Sequence, residues 1–264
     1  SDVTVSVGRT SGDSDLTVSG GALLTFTPNK WNIPQTVTLA AAEDADALNG
    51  TAVFTVSSAG LSNVGVTATE VDNDTLGLVV SPTSVSAPEG GTSAFTVRLS
   101  AQPTSDVTVS VGRTSGDTDL TVSGGATLTF TFNKWNTPQT VTLAAAEDAD
   151  AANGSAVFTV SSAGTSSVDV TATEVDNESL GLVVSPTSVP VPENNTSTFT
   201  VRLSAQPASD VTVSVGRSSG DSDLTVSGGA LLRFTPNKWN TPQTVTLAAA
   251  EDADAANGSA VFTV

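Results

Sequence analysis

The chain has 264 residues, with 9 Lys and Arg against 27 Asp and Glu, a formal net charge of −18. That balance excludes a nucleic-acid interface, which needs a basic face to displace counterions, and disfavours contact with an anionic membrane surface. Cys and His are both absent, which removes disulfides, thiolate or imidazole metal sites and the commonest catalytic bases and nucleophiles. No run of apolar residues is long enough for a transmembrane helix, and no signal peptide is recognisable. The acidic, Cys-free composition points to an extracellular, secreted or cell-surface protein of bacterial type.

The sequence repeats with a period of 104 residues: SDVTVSVGRTSGD begins at Ser1 and at Ser105, and SDVTVSVGRSSGD begins at Ser209. Residues 1–104 and 105–208 differ at 17 positions. A repeat one domain long makes an array, which works by length, spacing and multivalency rather than through one catalytic site.

In chain order, TEVDND (69–74) closes one unit and LGLVVSPTSV (76–85) opens the next. The expected organisation is a partial repeat over 1–74 lacking its first two strands, a complete one over 75–178, and a partial one over 179–264 lacking its last strand. Within the middle unit, period-two alternation of Val, Thr, Phe and Leu predicts seven strands. They lie over 83–88, 92–100, 105–113, 126–131, 138–145, 155–161 and 166–174, with 76–80 as an extension of the first. Segment 117–125, polar and Gly-rich, reads as a long loop. Seven short strands in about 100 residues indicate an all-β, immunoglobulin-like sandwich without the antibody Cys–Trp–Cys pattern.

Strand direction then sorts the acids. Antiparallel neighbours reverse at each turn, so the loops at 89, 117–119, 147–150 and 174–178 fall at one pole. Nine carboxylates collect there: Glu89, Asp117, Asp119, Glu147, Asp148, Asp150, Glu174, Asp176 and Glu178. Such crowding costs a few kcal/mol in repulsion unless a cation relieves it. Ca²⁺, which takes 6–8 oxygen ligands from flexible loops, suits this set better than Mg²⁺. The chain enters and leaves a unit at opposite poles, so successive units stack head to tail, and Lys134 is expected to face the acidic pole of the unit before it.

Three segments carry a family resemblance: APEGGTSAFTVRLS (87–100), ATLTFTFNKWNTPQTVTLAAAEDADAANGSAVFTV (126–160) and ATEVDN (172–177). Together they resemble the Calx-β family across the whole repeat. The resemblance implies a seven-strand sandwich whose acidic pole binds Ca²⁺, as in sodium–calcium exchangers. It implies Glu89, Asp117, Asp148, Asp150, Asp176 and Asn177 as the ligand-bearing positions. The acids the family carries just after the D-x-D loop are here Asn153, Gly154 and Ser155, which implies fewer ions or weaker binding.

Each repeat holds one Trp, at 31, 135 and 239, expected to cap the core or a junction rather than to offer a carbohydrate platform. The Asn-Gly pairs at 49, 153 and 257 fit a glycosylation sequon but also a tight turn, which is the expected role. No catalytic residue is expected, and the chain reads as a non-enzyme. The expected function is a structural extracellular array (a stalk, filament or adhesin shaft) whose partners are neighbouring repeats of the same chain. Alternatives are an accessory module of a secreted polysaccharide-degrading enzyme, and a self-assembling filament or sheath subunit with lateral homo-association.

Overall fold

The computed structural model of the chain describes all residues except 252, 254 and 255. The described residues form strands and turns, with no helix. The first unit contributes β1 (Val3–Gly12), β2 (Leu16–Gly20), β3 (Leu23–Phe26), β4 (Thr38–Ala41), β5 (Thr51–Ser57) and β6 (Val64–Thr69). The middle unit contributes β7 (Leu78–Ser81), β8 (Ser84–Pro88), β9 (Thr92–Leu99), β10 (Val107–Gly116), β11 (Leu120–Gly124), β12 (Thr127–Phe130), β13 (Gln139–Ala145), β14 (Ser155–Ser162) and β15 (Val168–Val175). The third contributes β16 (Leu182–Ser185), β17 (Thr196–Leu203), β18 (Val211–Ser214), β19 (Gly216–Gly220), β20 (Leu224–Gly228), β21 (Leu231–Phe234), β22 (Gln243–Ala249) and β23 (Ala260–Thr263).

In the middle unit, a five-stranded sheet of order β12-β10-β14-β15-β8 faces a four-stranded sheet of order β11-β13-β9-β7. Val, Thr and Phe at alternate positions suit a pleated, half-buried surface, and this is why the strands form. One parity of each strand faces the partner sheet. Phe95, Val97 and Leu99 of β9, Val109 and Val111 of β10, Leu128 and Phe130 of β12, Val141 and Leu143 of β13, and Phe158 and Val160 of β14 are all buried, as their alternation predicts. Val107, expected on the same face, is half-buried against that core. Fully burying each such side chain stabilises by ~1.5–3 kcal/mol.

Two strand assignments differ from expectation. The 76–80 segment is not an extension of the next strand but a separate strand, β7, paired with β9; the chain then crosses to the other sheet, where β8 runs parallel to β15. Segment 117–125 is not a long loop: Leu120–Gly124 is β11, paired antiparallel with β13. Its Leu120 is fully buried, and that one apolar anchor, with Val122 packed beside it, holds an otherwise polar segment in the sheet.

The turn before β11 is short because β10 ends in a bulge. Its register to β14 slips between Arg113 and Ser115, and Gly116 adopts a φ of 89°. A Cβ there would collide with the Ser155 carbonyl, so glycine is required. The bend delivers Asp117 directly to the acidic pole.

The outer units share this plan with fewer strands. In the first, β3-β1-β5-β6 form one sheet and β2-β4 another, and β6 has no neighbour on its outer side, leaving Val64 and Val66 exposed. In the third, β16-β17-β22-β20 form a sheet beside the pairs β18-β21 and β19-β23. There residues 188–192, the counterpart of β8, form no strand, because the middle unit's β8 depends on β15 for its ladder.

Main-chain hydrogen bonds link successive units. The Gln102 N–H donates to the Ala45 carbonyl (2.6 Å), and the Gln206 N–H donates to the Ala149 carbonyl (2.7 Å). Asp46 and Asp150 thereby form isolated parallel bridges to Gln102 and Gln206. Lys134, expected to face the acidic pole of the preceding unit, is exposed and forms no ion pair among the described residues; the connection that is made runs through the Gln102 N–H. Trp135 packs half-buried against the middle core and its carbonyl accepts from the Leu99 N–H.

Candidate metal centre

Four segments bring carboxylates together at one end of the middle sandwich. Glu89 sits in the turn after β8, Asp117 in the turn after β10, Glu147, Asp148 and Asp150 in the loop after β13, and Glu174, Asp176 and Glu178 at and beyond the end of β15. The loops are shaped by the acids themselves. The Asp117, Asp148, Asp150 and Asp176 Oδ1 atoms each accept the main-chain N–H two residues on, at 2.7–3.0 Å. These are Asx turns, which hold the backbone and leave the second oxygen of each carboxylate free to point elsewhere.

Glu89 ties three of the segments into one structure. Its own N–H donates to the Val175 carbonyl, its Oε1 accepts the Asp148 N–H, and its Oε2 accepts the Asn177 N–H (3.3 Å). The Asp148 N–H is the leading reason its carboxyl lies below the usual range. Asn177 donates again through Nδ2 to Glu147 (3.4 Å), so this residue braces carboxylates with both nitrogens. Asn153 accepts the Asp176 N–H (2.9 Å), fixing the closing segment to the loop before β14.

The oxygens then converge. Glu89, Asp148 and Glu174 each place a carboxylate oxygen within 4.8 Å of the others; so do Asp148, Asp150 and Asp176, and so do Glu89, Asp176 and Glu178. Of the residues expected from sequence, Glu89, Asp148, Asp150 and Asp176 meet in these triads. Asp117 lies beside them, against Gly154 and close to Glu174, and Asn177 braces from outside.

Glu174 was not among the expected ligands and is the most informative side chain of the pole. It is 1% exposed, and both of its carboxylate oxygens lack a hydrogen-bond partner. Burial, followed by the charges of Asp117 and Asp148, pushes its carboxyl up to about 7. The signal was available: Glu174 continues the inward parity of Val170 and Ala172 along β15. Glu178 is also pushed up to about 7, first by its hydrogen bond to Glu89 and then by burial. For Asp148 the Asp150 N–H pulls the carboxyl down, but burial and the neighbouring charges outweigh it and the net shift is upward.

A buried carboxylate without a donor is a costly arrangement unless a proton or a cation completes it. The donor set is all oxygen, hard and anionic, with no nitrogen or sulfur ligand, and it fits Ca²⁺ in charge and flexibility. The first unit repeats the pattern. Asp44, Asp46 and Asp72 converge within 4.8 Å, and buried Glu70 has an unpartnered Oε2 and a carboxyl raised first by burial and then by Asp44. The corresponding loop of the third unit includes residues 252 and 254, outside the described residues.

No protein-family model and no curated protein matches the chain. Solved structures with a similar fold include domains 4 and 5 of the S-layer protein SbsC, 21% identical over 65% of this chain and 98% of that one, with a TM-score of 0.35. A larger piece of SbsC, domains 4–9, is 16% identical over 94% of this chain and 43% of that one, with a TM-score of 0.37. The YadV chaperone is 13% identical over 69% of this chain and 88% of that one, with a TM-score of 0.28. Each is an approximate similarity of all-β architecture.

Proposed function

We propose that the chain is a structural segment of an extracellular array. On this reading its units, divided near residues 74 and 178, stack head to tail and Ca²⁺ at the acidic pole stiffens each junction. One observation carries the reading. The loop that supplies Asp148 and Asp150 to the pole is also the loop whose Ala149 carbonyl accepts the Gln206 N–H of the next unit. An ion held by Asp148, Asp150, Asp176, Glu89 and the buried Glu174 would therefore order the surface on which the next unit rests. Asp117 would complete the inner side, and Asn177 would hold the carboxylates in place.

The missing acids at Asn153–Ser155 argue for affinity at the weak end, ~10⁻⁴–10⁻³ M, suited to extracellular Ca²⁺. The acidic pole recurs in the first unit as Asp44, Asp46 and Asp72, as an array of like units requires, and this favours the array reading over an enzyme accessory module. The test is small-angle scattering and electron microscopy of the chain with millimolar Ca²⁺ and with chelator. An extended rod with a rise of roughly 35–50 Å per unit that becomes flexible on chelation supports the reading. A folded-back arrangement, or a rod indifferent to chelator, overturns the cation's role.

A further inference from the structure

The outward face of the five-stranded sheet is as distinctive as the pole. Its strands present Thr129 (β12), Thr108 and Ser110 (β10), Thr159 (β14), and Thr171 and Thr173 (β15) away from the core, in register across the sheet. The hydroxyls are ordered in rows. The Thr114 and Thr159 hydroxyls hydrogen-bond (3.1 Å), and Thr159 Oγ1 donates to Asp169 (2.6 Å). In the first unit Thr10 pairs with Thr55, and Ser6 with Ser57, both at 2.9 Å. Asp169 is the lone charge among these outward strand positions in the middle unit, and the first unit has Gly65 in its place. In a chain of net charge −18, a nearly uncharged sheet face stands apart.

At the centre of this face each unit has a glycine: Gly8, Gly112 and Gly216. The fold does not ask for it. None of the three has a positive φ, and a Cβ added at any of them would meet nothing within 4 Å. Glycine inside a strand weakens it and marks a bulge or a place where another surface comes close; Gly112 is paired in register with Thr159 and the bulge falls after it, between Arg113 and Ser115, which leaves the close approach. Here that surface must come from outside the unit.

We infer that this bare-centred hydroxyl face is a lateral contact surface, and that its occupant is a second copy of the same chain. Two features select that partner. The uncharged face is where two strongly acidic chains can approach without burying like charges. The face recurs in the first and middle units, while the third carries the Arg233–Asp210 ion pair at the position of Thr129, and the partner that matches a 104-residue spacing is another array of the same repeat. One face, about 20 by 20 Å from strand spacing and rise, falls well short of the roughly 800 Å² per partner of a stable interface. Contacts by successive units add through avidity, so bundling strengthens with the number of repeats. This surface lies on the sheet, not at the pole, and does not depend on bound Ca²⁺.

Sedimentation velocity over a wide concentration range, with chelator present and at ~0.5 M NaCl to screen charge, tests the proposal. The unaltered chain should associate reversibly. The triple variant Gly8→Arg/Gly112→Arg/Gly216→Arg should weaken the association constant at least tenfold, with unchanged circular dichroism. Thr171→Lys, a single change on the same face, should weaken it in the same direction and guards against a misfolded triple variant. Thr140→Arg, on the opposite sheet, should leave it unchanged. An unaltered chain that stays monomeric throughout overturns the proposal, as does a Thr140→Arg effect equal to that of Thr171→Lys. So does association that the face variants leave intact.

Discussion

Replacing Glu174 by Gln isolates the one carboxylate the fold has buried without a partner. Its folded-state value of about 7 lies above the ordinary 4.5. Between those values the folded protein binds more protons than the unfolded one, so stability falls as pH rises. The contribution is fully present below about pH 4.5 and lost above about pH 7. At about 1.4 kcal/mol per pH unit, that gap corresponds to roughly 3 kcal/mol of local destabilisation from an ionised Glu174. Gln keeps the shape and removes the charge. In chelator at pH 8, Glu174→Gln should therefore be the more stable protein, by up to about 3 kcal/mol, and near pH 5 the two should converge. Millimolar Ca²⁺ should narrow that gap, because at a one- to tenfold excess over Kd binding stabilises the native parent by about 0.4–1.4 kcal/mol and the variant lacks an inner ligand. Hydrogen exchange of the β14 and β15 amides reads the middle unit alone, where a melting curve would mix all three. A variant less stable than the parent in chelator at pH 8 would show that the Glu174 carboxylate is not strained, and an undiminished Ca²⁺ response would show that it is not a ligand.

Three further outcomes are expected. Asp148→Asn with Asp150→Asn should abolish the Ca²⁺-dependent protection of the middle unit, measured by hydrogen exchange, while Mg²⁺ should substitute poorly for Ca²⁺ in the parent. Phe130→Ala should cost ~3–5 kcal/mol, since the ring is fully buried between the sheets; an unchanged denaturation midpoint for the middle unit would refute the packing. Gln206→Pro removes the N–H that meets Ala149, so scattering should show a looser junction between the second and third units with little change in either unit's stability. A rod as stiff as the parent would mean the bridge does not set the geometry.

Much of this molecule was legible in residue order. The 104-residue period declares an array, and alternation along segments such as Phe95–Leu99 and Val107–Val111 sorts inward from outward residues, because side-chain direction in a strand is a local property of the backbone. The same parity puts Glu174 inward beside Val170 and Ala172 in the structure, whereas its acidic identity groups it with the loop residues of the pole. What residue order could not decide is how weak segments are completed and which distant oxygens meet. β11 has few apolar residues of its own and exists because β13 offers it a ladder and the core receives Leu120. Glu89, Asp148, Glu174 and Asp176 are far apart in the chain, and their approach within 4.8 Å depends on sheet pairing and on Glu89 bridging two loops. The bare face around Gly112 likewise emerges only when five strands lie side by side, since a glycine's empty surroundings are a property of its neighbours in space.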